Sequence, residues 1–126
     1  MKLTHGREDR KSNRGADNFT GGVWQDTLLD NPEGGARVYA VYFEPGGRTH
    51  WHAHEGGQVL YVTTGEGRVG TRDRVETLRP GDVVHAPAGE EHWHGAGPDS
   101  VLHHVAVSLG ATRWLGEVAR EDYERS

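Results

Sequence analysis

The chain has 126 residues, enough for one hydrophobic core and too few for two. Its formal net charge is −5 with histidine neutral and no basic stripe stands out, which argues against a nucleic-acid partner. With no cysteine, disulfides, thiolate ligands and a thiol nucleophile are excluded together.

Residues 1–18 are polar and mixed in charge, and they read as a frayed arm ahead of a single domain spanning residues 19–126. The alternative is an arm that orders against a second subunit. The opening residues hold no apolar stretch of the kind a secretory signal needs, and no run approaches the ~20 residues of a membrane span. A cytoplasmic protein without membrane contact is the expectation. Glycine accounts for 19 residues, about twice the usual share of roughly 7%. The glycines fall between short apolar runs, which is the punctuation of an all-β chain.

From Phe19 the runs follow one another closely. Val23 to Leu29 is a weak strand closed by the turn-rich Asp30 to Gly35, and Arg37 to Phe43 is a stronger one that stops at Pro45-Gly46-Gly47. Thr49 to His54 reads as the next strand, followed by Gln58 to Thr64, Arg68 to Arg72, Asp73 to Leu78, Val83 to Ala86, His92 to Ala96 and Val101 to Ser108. Only the stretch from about Trp114 to Tyr123 favours a helix, as a short C-terminal cap. About eight short, evenly spaced strands predict a sandwich or small barrel rather than βαβ units.

Two histidine clusters carry the chemistry. Successive side chains in a strand point to opposite faces, so His52 and His54 share one face, as do His92 and His94. His52, His54 and His92 would supply three imidazole nitrogens and Gln58 an amide oxygen, a first shell for a divalent transition metal with positions left open. All four ligands are neutral, so such a site keeps the full charge of the ion. Aligned imidazoles without a metal would repel when protonated and lack partners when neutral. His94 lies two residues past a ligand on the same face, where an unligated imidazole can serve as general base or acid. His50 is assigned to the pocket or to the support of the ligands. Of His103 and His104 only one can point inward, and pattern alone does not say which. Isolated His5 and His85 read as ordinary surface residues, and Trp51 and Trp93, on the opposite face, read as packing residues or part of a subunit interface.

These residues fall into two motifs that resemble those of the cupins. The first runs Gly46, five residues, His52-Ala53-His54, three residues, Gln58 in place of the usual Glu, six residues, Gly65. The second runs Gly81, five residues, Pro87-Ala88-Gly89, two residues, His92, with Ala96 in place of the usual Asn. The resemblance implies an all-β, jelly-roll cupin barrel. Phe19-Thr20-Gly21, Tyr42 to Thr49, Gly57-Gln58 and His92 to Ala96 are similar to the small bacterial monocupins that include manganese-dependent hydroxynitrile lyases. That likeness implies a metal held by His52, His54, His92 and Gln58, with His94 and His104 as pocket catalysts. Manganese is the favoured ion, with iron, nickel, cobalt or zinc as alternatives, and a homodimer or higher homo-oligomer is expected. The expected activity is cleavage of a small α-hydroxynitrile to a carbonyl compound and cyanide. An iron or nickel oxygenase ranks second and a non-catalytic binding module third.

Overall fold

β-Branched and aromatic residues at two-residue intervals build the walls of this protein, and glycine-containing turns join them. The computed structural model describes residues 1–6, 12–31 and 33–125. In chain order the strands are β1 (Asn13–Arg14), β2 (Phe19–Thr20), β3 (Val23–Asn31), β4 (Ala36–Phe43), β5 (Arg48–Thr49), β6 (His52–His54), β7 (Gln58–Gly65), β8 (Gly67–Thr71), β9 (Val75–Leu78), β10 (Val83–Ala86), β11 (His92–Ala96), β12 (Leu102–Leu109) and β13 (Thr112–Trp114), before a single turn of helix, α1 (Arg120–Tyr123). Every strand pairing among the described residues is antiparallel, as short hairpin-type connections permit.

One sheet runs β1-β3-β4-β12-β7-β10 and the other β13-β6-β11-β5-β2, with β8 and β9 added beside β11. Residues of both sheets meet in one core of Val23, Val41, Phe43, Val62, Leu78, Ala96 and Leu102, which closes one end of the barrel. The fold is the all-β barrel that the strand spacing predicts.

Three boundaries differ from the sequence reading. The expected strand Thr49 to His54 is split at His50-Trp51 into β5 and β6, because His50 N–H donates to Asn18 and Trp51 N–H to Gly116 instead of continuing one ladder. The expected C-terminal helix shrinks to Arg120–Tyr123, since Trp114 belongs to β13. In the arm, Asn13–Arg14 pairs with Trp24 and Gln25 of β3, and the Arg14 guanidinium sits 5.6 Å from the Trp24 ring. Backbone pairing needs no apolar side chain, so a polar composition did not exclude a strand there. The remainder of the arm at residues 7–11, and Pro32 of the turn after β3, lie outside the described residues.

Trp51 and Trp93 are packed by the chain's own C-terminal segment, not held out for a partner. With Val118 and Tyr123 they form a second core in which Trp93 is fully buried. Tyr123 donates its hydroxyl to the Ala96 carbonyl at 2.6 Å, and the Arg48 and Arg68 guanidiniums lie over its ring at 4.3 and 5.0 Å. This strap backs β6 and β11, the two strands that carry the histidines. Gly70 stands opposite Trp93 in the β8–β11 ladder, and a Cβ there would run into the indole Nε1. Gly70→Ala is therefore expected to cost about 1–3 kcal/mol of unfolding free energy. Urea denaturation reads this directly, and a wild-type midpoint would contradict it.

Candidate metal centre

The histidines meet because their strands are neighbours in register. His52 on β6 stands directly opposite His92 on β11, with ring centroids 4.4 Å apart. His54 follows two residues on, on the same face, with its ring 5.0 Å from that of His52. The chain then turns through Glu55-Gly56-Gly57. Gly57 takes φ +91°, and a Cβ on it would lie 2.8 Å from the Ala86 carbonyl, so only glycine suits the turn. That turn brings Gln58, the first residue of β7, back to the cluster.

Each ring is oriented from behind. The His50 carbonyl accepts from His52 Nδ1 at 2.9 Å, and the Glu90 carbonyl accepts from His92 Nδ1 at 2.9 Å. Thr112 Oγ1 lies 3.0 Å from His54 Nδ1. With the proton on Nδ1, the Nε2 lone pairs face inward, the arrangement that outer partners impose on metal-binding imidazoles. Ligand atoms of His52, His54 and His92 lie within 4.8 Å of one another, and among the described residues these three form the cluster with metal-binding spacing.

Gln58 sharpens the picture. Its amide nitrogen donates to Ser108 Oγ at 3.0 Å, which turns Oε1 toward His92 Nε2 at 2.9 Å. Two acceptors face each other there with no proton to share. His54 Nε2 is also buried with no hydrogen-bond partner. Orphaned, converging lone pairs are costly unless a cation lies among them. The residues present fit a divalent ion, and the three-histidine cluster is compatible with binding one.

The side chains are deeply buried: His52, His54, Gln58, His92, His94 and His104 are all 4% exposed or less. Burial, with smaller contributions from neighbouring imidazoles, pushes the His52 pKa down to about 3 and His54 down to about 4. Burial likewise lowers His92. All three are neutral at pH 7, which is the state a ligand needs.

A cavity of about 600 Å³ opens beside the cluster. His52, His54 and His94 line one side, while Gln25, Arg37, Tyr39 and Val41 on β3 and β4 line the facing sheet together with Gln58 on β7. Ala106 and Ser108 on β12 leave room between the walls, and Phe19 and Trp114 supply aromatic surface. Among the described residues, no Asp or Glu lines it.

His94 reaches this cavity with Nε2 buried and unpartnered, while its Nδ1 lies 2.8 Å from His104 Nε2. Burial first, then the charge of His104, holds the His94 pKa well below its usual value, and burial takes His104 to about 4. His104 is fully buried behind His94 and does not line the cavity. His103 points out of the barrel and stacks on Tyr42 at 4.0 Å. His50 contributes its carbonyl, and its ring is absent from the cavity wall.

Sequence reasoning missed Ser108, Thr112 and Trp114. β13 pairs with β6 so that Thr112 lies opposite His54 and Trp114 opposite His52. A three-residue strand with no alternation gave no signal for that placement.

An antiparallel double-sheet barrel with histidines converging on its inner wall defines a class of β-barrel with a metal-type pocket. The cupin domain family model matches residues 39–107, and the chain belongs to the cupin family. It is 43% identical over 116 residues to the (R)-mandelonitrile lyase of Granulicella tundricola, covering 87% of this chain and 88% of that protein. It is 44% identical to a cupin-like protein of Thermotoga maritima, whose crystal structure matches with a TM-score of 0.85 over 92% of this chain and 93% of that one. An acetylacetone dioxygenase from Acinetobacter johnsonii, 16% identical, matches with a TM-score of 0.71 over 91% of this chain and 76% of that one, a likeness of fold alone. No described helix is long and apolar enough to cross a membrane.

Proposed function

We propose that this protein is a metal-dependent carbon–carbon lyase that splits a small α-hydroxynitrile into a carbonyl compound and cyanide. The observation that carries the reading is the unpartnered Nε2 of His94, presented to the same cavity as the three-histidine cluster. The 43% identity to a mandelonitrile lyase supports it. His52, His54, His92 and Gln58 would hold the ion, manganese being the proposed one. Bound there, a divalent cation supplies Lewis acidity that makes a substrate hydroxyl easier to deprotonate.

The chain's own residues do the proton work. His94 Nε2 takes the hydroxyl proton, with His94 Nδ1–H donating to His104 Nε2. The freed electron pair forms the carbonyl, the carbon–carbon bond breaks, and its electrons leave with cyanide. His94 then returns the proton to cyanide, so HCN and the carbonyl compound account for every atom of the substrate. His104 positions the His94 ring and stabilises its charged form. Phe43 packs against the pair, its ring 5.9 Å from His94 and 5.1 Å from His104.

Manganese-loaded protein should release benzaldehyde and cyanide from mandelonitrile at the same rate with and without O₂. Release no faster than with the His94→Ala protein contradicts the proposal, and a strict need for O₂ favours the oxygenase. The neutral amide at residue 58 is expected to matter as well. Gln58→Glu adds a negative charge beside the ion, so it should retain manganese at least about tenfold more tightly, because carboxylate suits a hard divalent ion. It should also slow cleavage, because the added charge weakens the pull on the hydroxyl. Calorimetry and the cyanide assay on the same protein check both halves, and unchanged affinity contradicts the first.

A further inference from the structure

The sheet facing the histidine cluster carries a cation, Arg37, in the cavity lining. Gln58, Ser108 and Arg37 lie on three neighbouring strands in one cross-strand row, since Ser108 pairs with both Gln58 and Arg37. Residues directly opposite in an antiparallel pair share a face, so Arg37 points to the inside with Ser108, and it lines the cavity. Asp30 takes the Arg37 Nε–H at 3.1 Å. The terminal guanidinium nitrogens make no hydrogen bond to any described residue. That pair is half exposed, with side chains 41% and 57% accessible, and such pairs contribute little to stability. Arg37 is therefore not explained by its ion pair.

The charge of the cavity is one-sided. Its histidine and glutamine side chains are neutral, no carboxylate lines it among the described residues, and Arg37, held at Nε by Asp30 from outside the lining, brings its guanidinium to the wall two strands from Gln58. A low-dielectric cleft lined by one sign of charge concentrates ligands of the other. Tyr39, two residues along on the same face of β4, adds a phenol beside it.

We propose that the cavity takes α-hydroxy compounds whose far end bears a carboxylate, and that Arg37 is the residue that selects them. The hydroxyl end lies at the histidine cluster, so this inference rests on the lyase reading of that end. Two strand spacings, about 10 Å between backbones, separate Gln58 from Arg37. Side chains occupy part of that gap, and one six-membered ring between hydroxyl carbon and carboxylate bridges the rest. The free edge of the guanidinium fork offers two N–H groups to a carboxylate, the geometry in which arginine binds it best.

The test compares two ligands that differ in that group alone, 4-(hydroxymethyl)benzoate and 4-methylbenzyl alcohol, titrated into manganese-loaded protein with intrinsic tryptophan fluorescence and calorimetry as readouts. The wild-type protein should prefer the carboxylate by about tenfold or more, with the preference shrinking as salt is raised. In Arg37→Gln the ratio of the two affinities should collapse toward one, and in Asp30→Asn it should be kept or increased. A preference that survives Arg37→Gln overturns the proposal, since the carboxylate is then held elsewhere, for example by the ion. Equal binding of the two ligands by the wild-type protein, or binding of neither, also overturns it. Mandelonitrile cleavage is assayed separately, so loss of the lyase reading with a retained Arg37-dependent preference is distinguishable from the reverse.

Discussion

His94→Ala is expected to lower kcat/KM for mandelonitrile cleavage by about 10²- to 10⁴-fold, the range for removing a positioned general base, with manganese still bound at one ion per chain. His94 touches the cavity and has no ligand role in this account, so activity and metal content should separate. His104 acts through His94, because its Nε2 lies 2.8 Å from the Nδ1 of the His94 ring and it does not line the cavity. His104→Phe should therefore cost less, about 10- to 100-fold, as outer partners of functional imidazoles do. It should also shift the acid limb of the kcat/KM profile, which a merely structural role would not move. An unchanged rate in His94→Ala, or loss of metal in step with activity, contradicts the assignment.

The metal-free protein is expected to lose most of its stability as pH falls from 6.5 toward 4. His52 and His104 are held neutral in the fold, with pKa values of about 3 and about 4 against an ordinary 6.5, and burial is the leading cause in both. Below pH 6.5 the unfolded chain binds protons that the native chain refuses, so stability rises with pH across this window and is lost on descending it. Two such groups contribute on the order of 3 kcal/mol per pH unit, a large part of the 5–15 kcal/mol typical of a domain. Bound manganese should move the acid transition lower until protons displace it from the ligands. Urea midpoints of chelator-treated protein at successive pH values measure this. A midpoint unchanged between pH 7 and 4.5 would contradict the burial of neutral imidazoles.

The strands that carry the histidines were legible because the chemistry is local. Two histidines two residues apart on a strand, and a glycine turn leading to Gln58, are features of short segments. β10 and β11 start and stop where the turn residues place them. Long-range placement was less visible. On β12 the residues facing inward are His104, Ala106 and Ser108, while Val105 and Val107 face outward. Hydrophobic alternation alone would favour the valines as the core face and turn His103 inward. The small residues face inward because the cavity occupies that space, so the resemblance to a family, not the pattern, pointed to His104. The supports of the histidine rings were hidden for a similar reason. His50 acts through its carbonyl, which side-chain chemistry does not advertise, and Thr112 and Ser108 arrive from strands whose register no local signal sets.

His52, His54, His92 and Gln58 are proposed to form one site for a divalent ion. Calorimetric titration of chelator-treated protein with manganese at pH 7.5 tests it most directly, run beside His52→Ala and His92→Ala variants shown to be folded. One ion per wild-type chain is expected, with proton release near zero because the four side chains are already neutral, and no binding at this site in either variant. Stoichiometric binding that survives both substitutions, or a wild-type protein that takes up no manganese, iron or zinc, would contradict it.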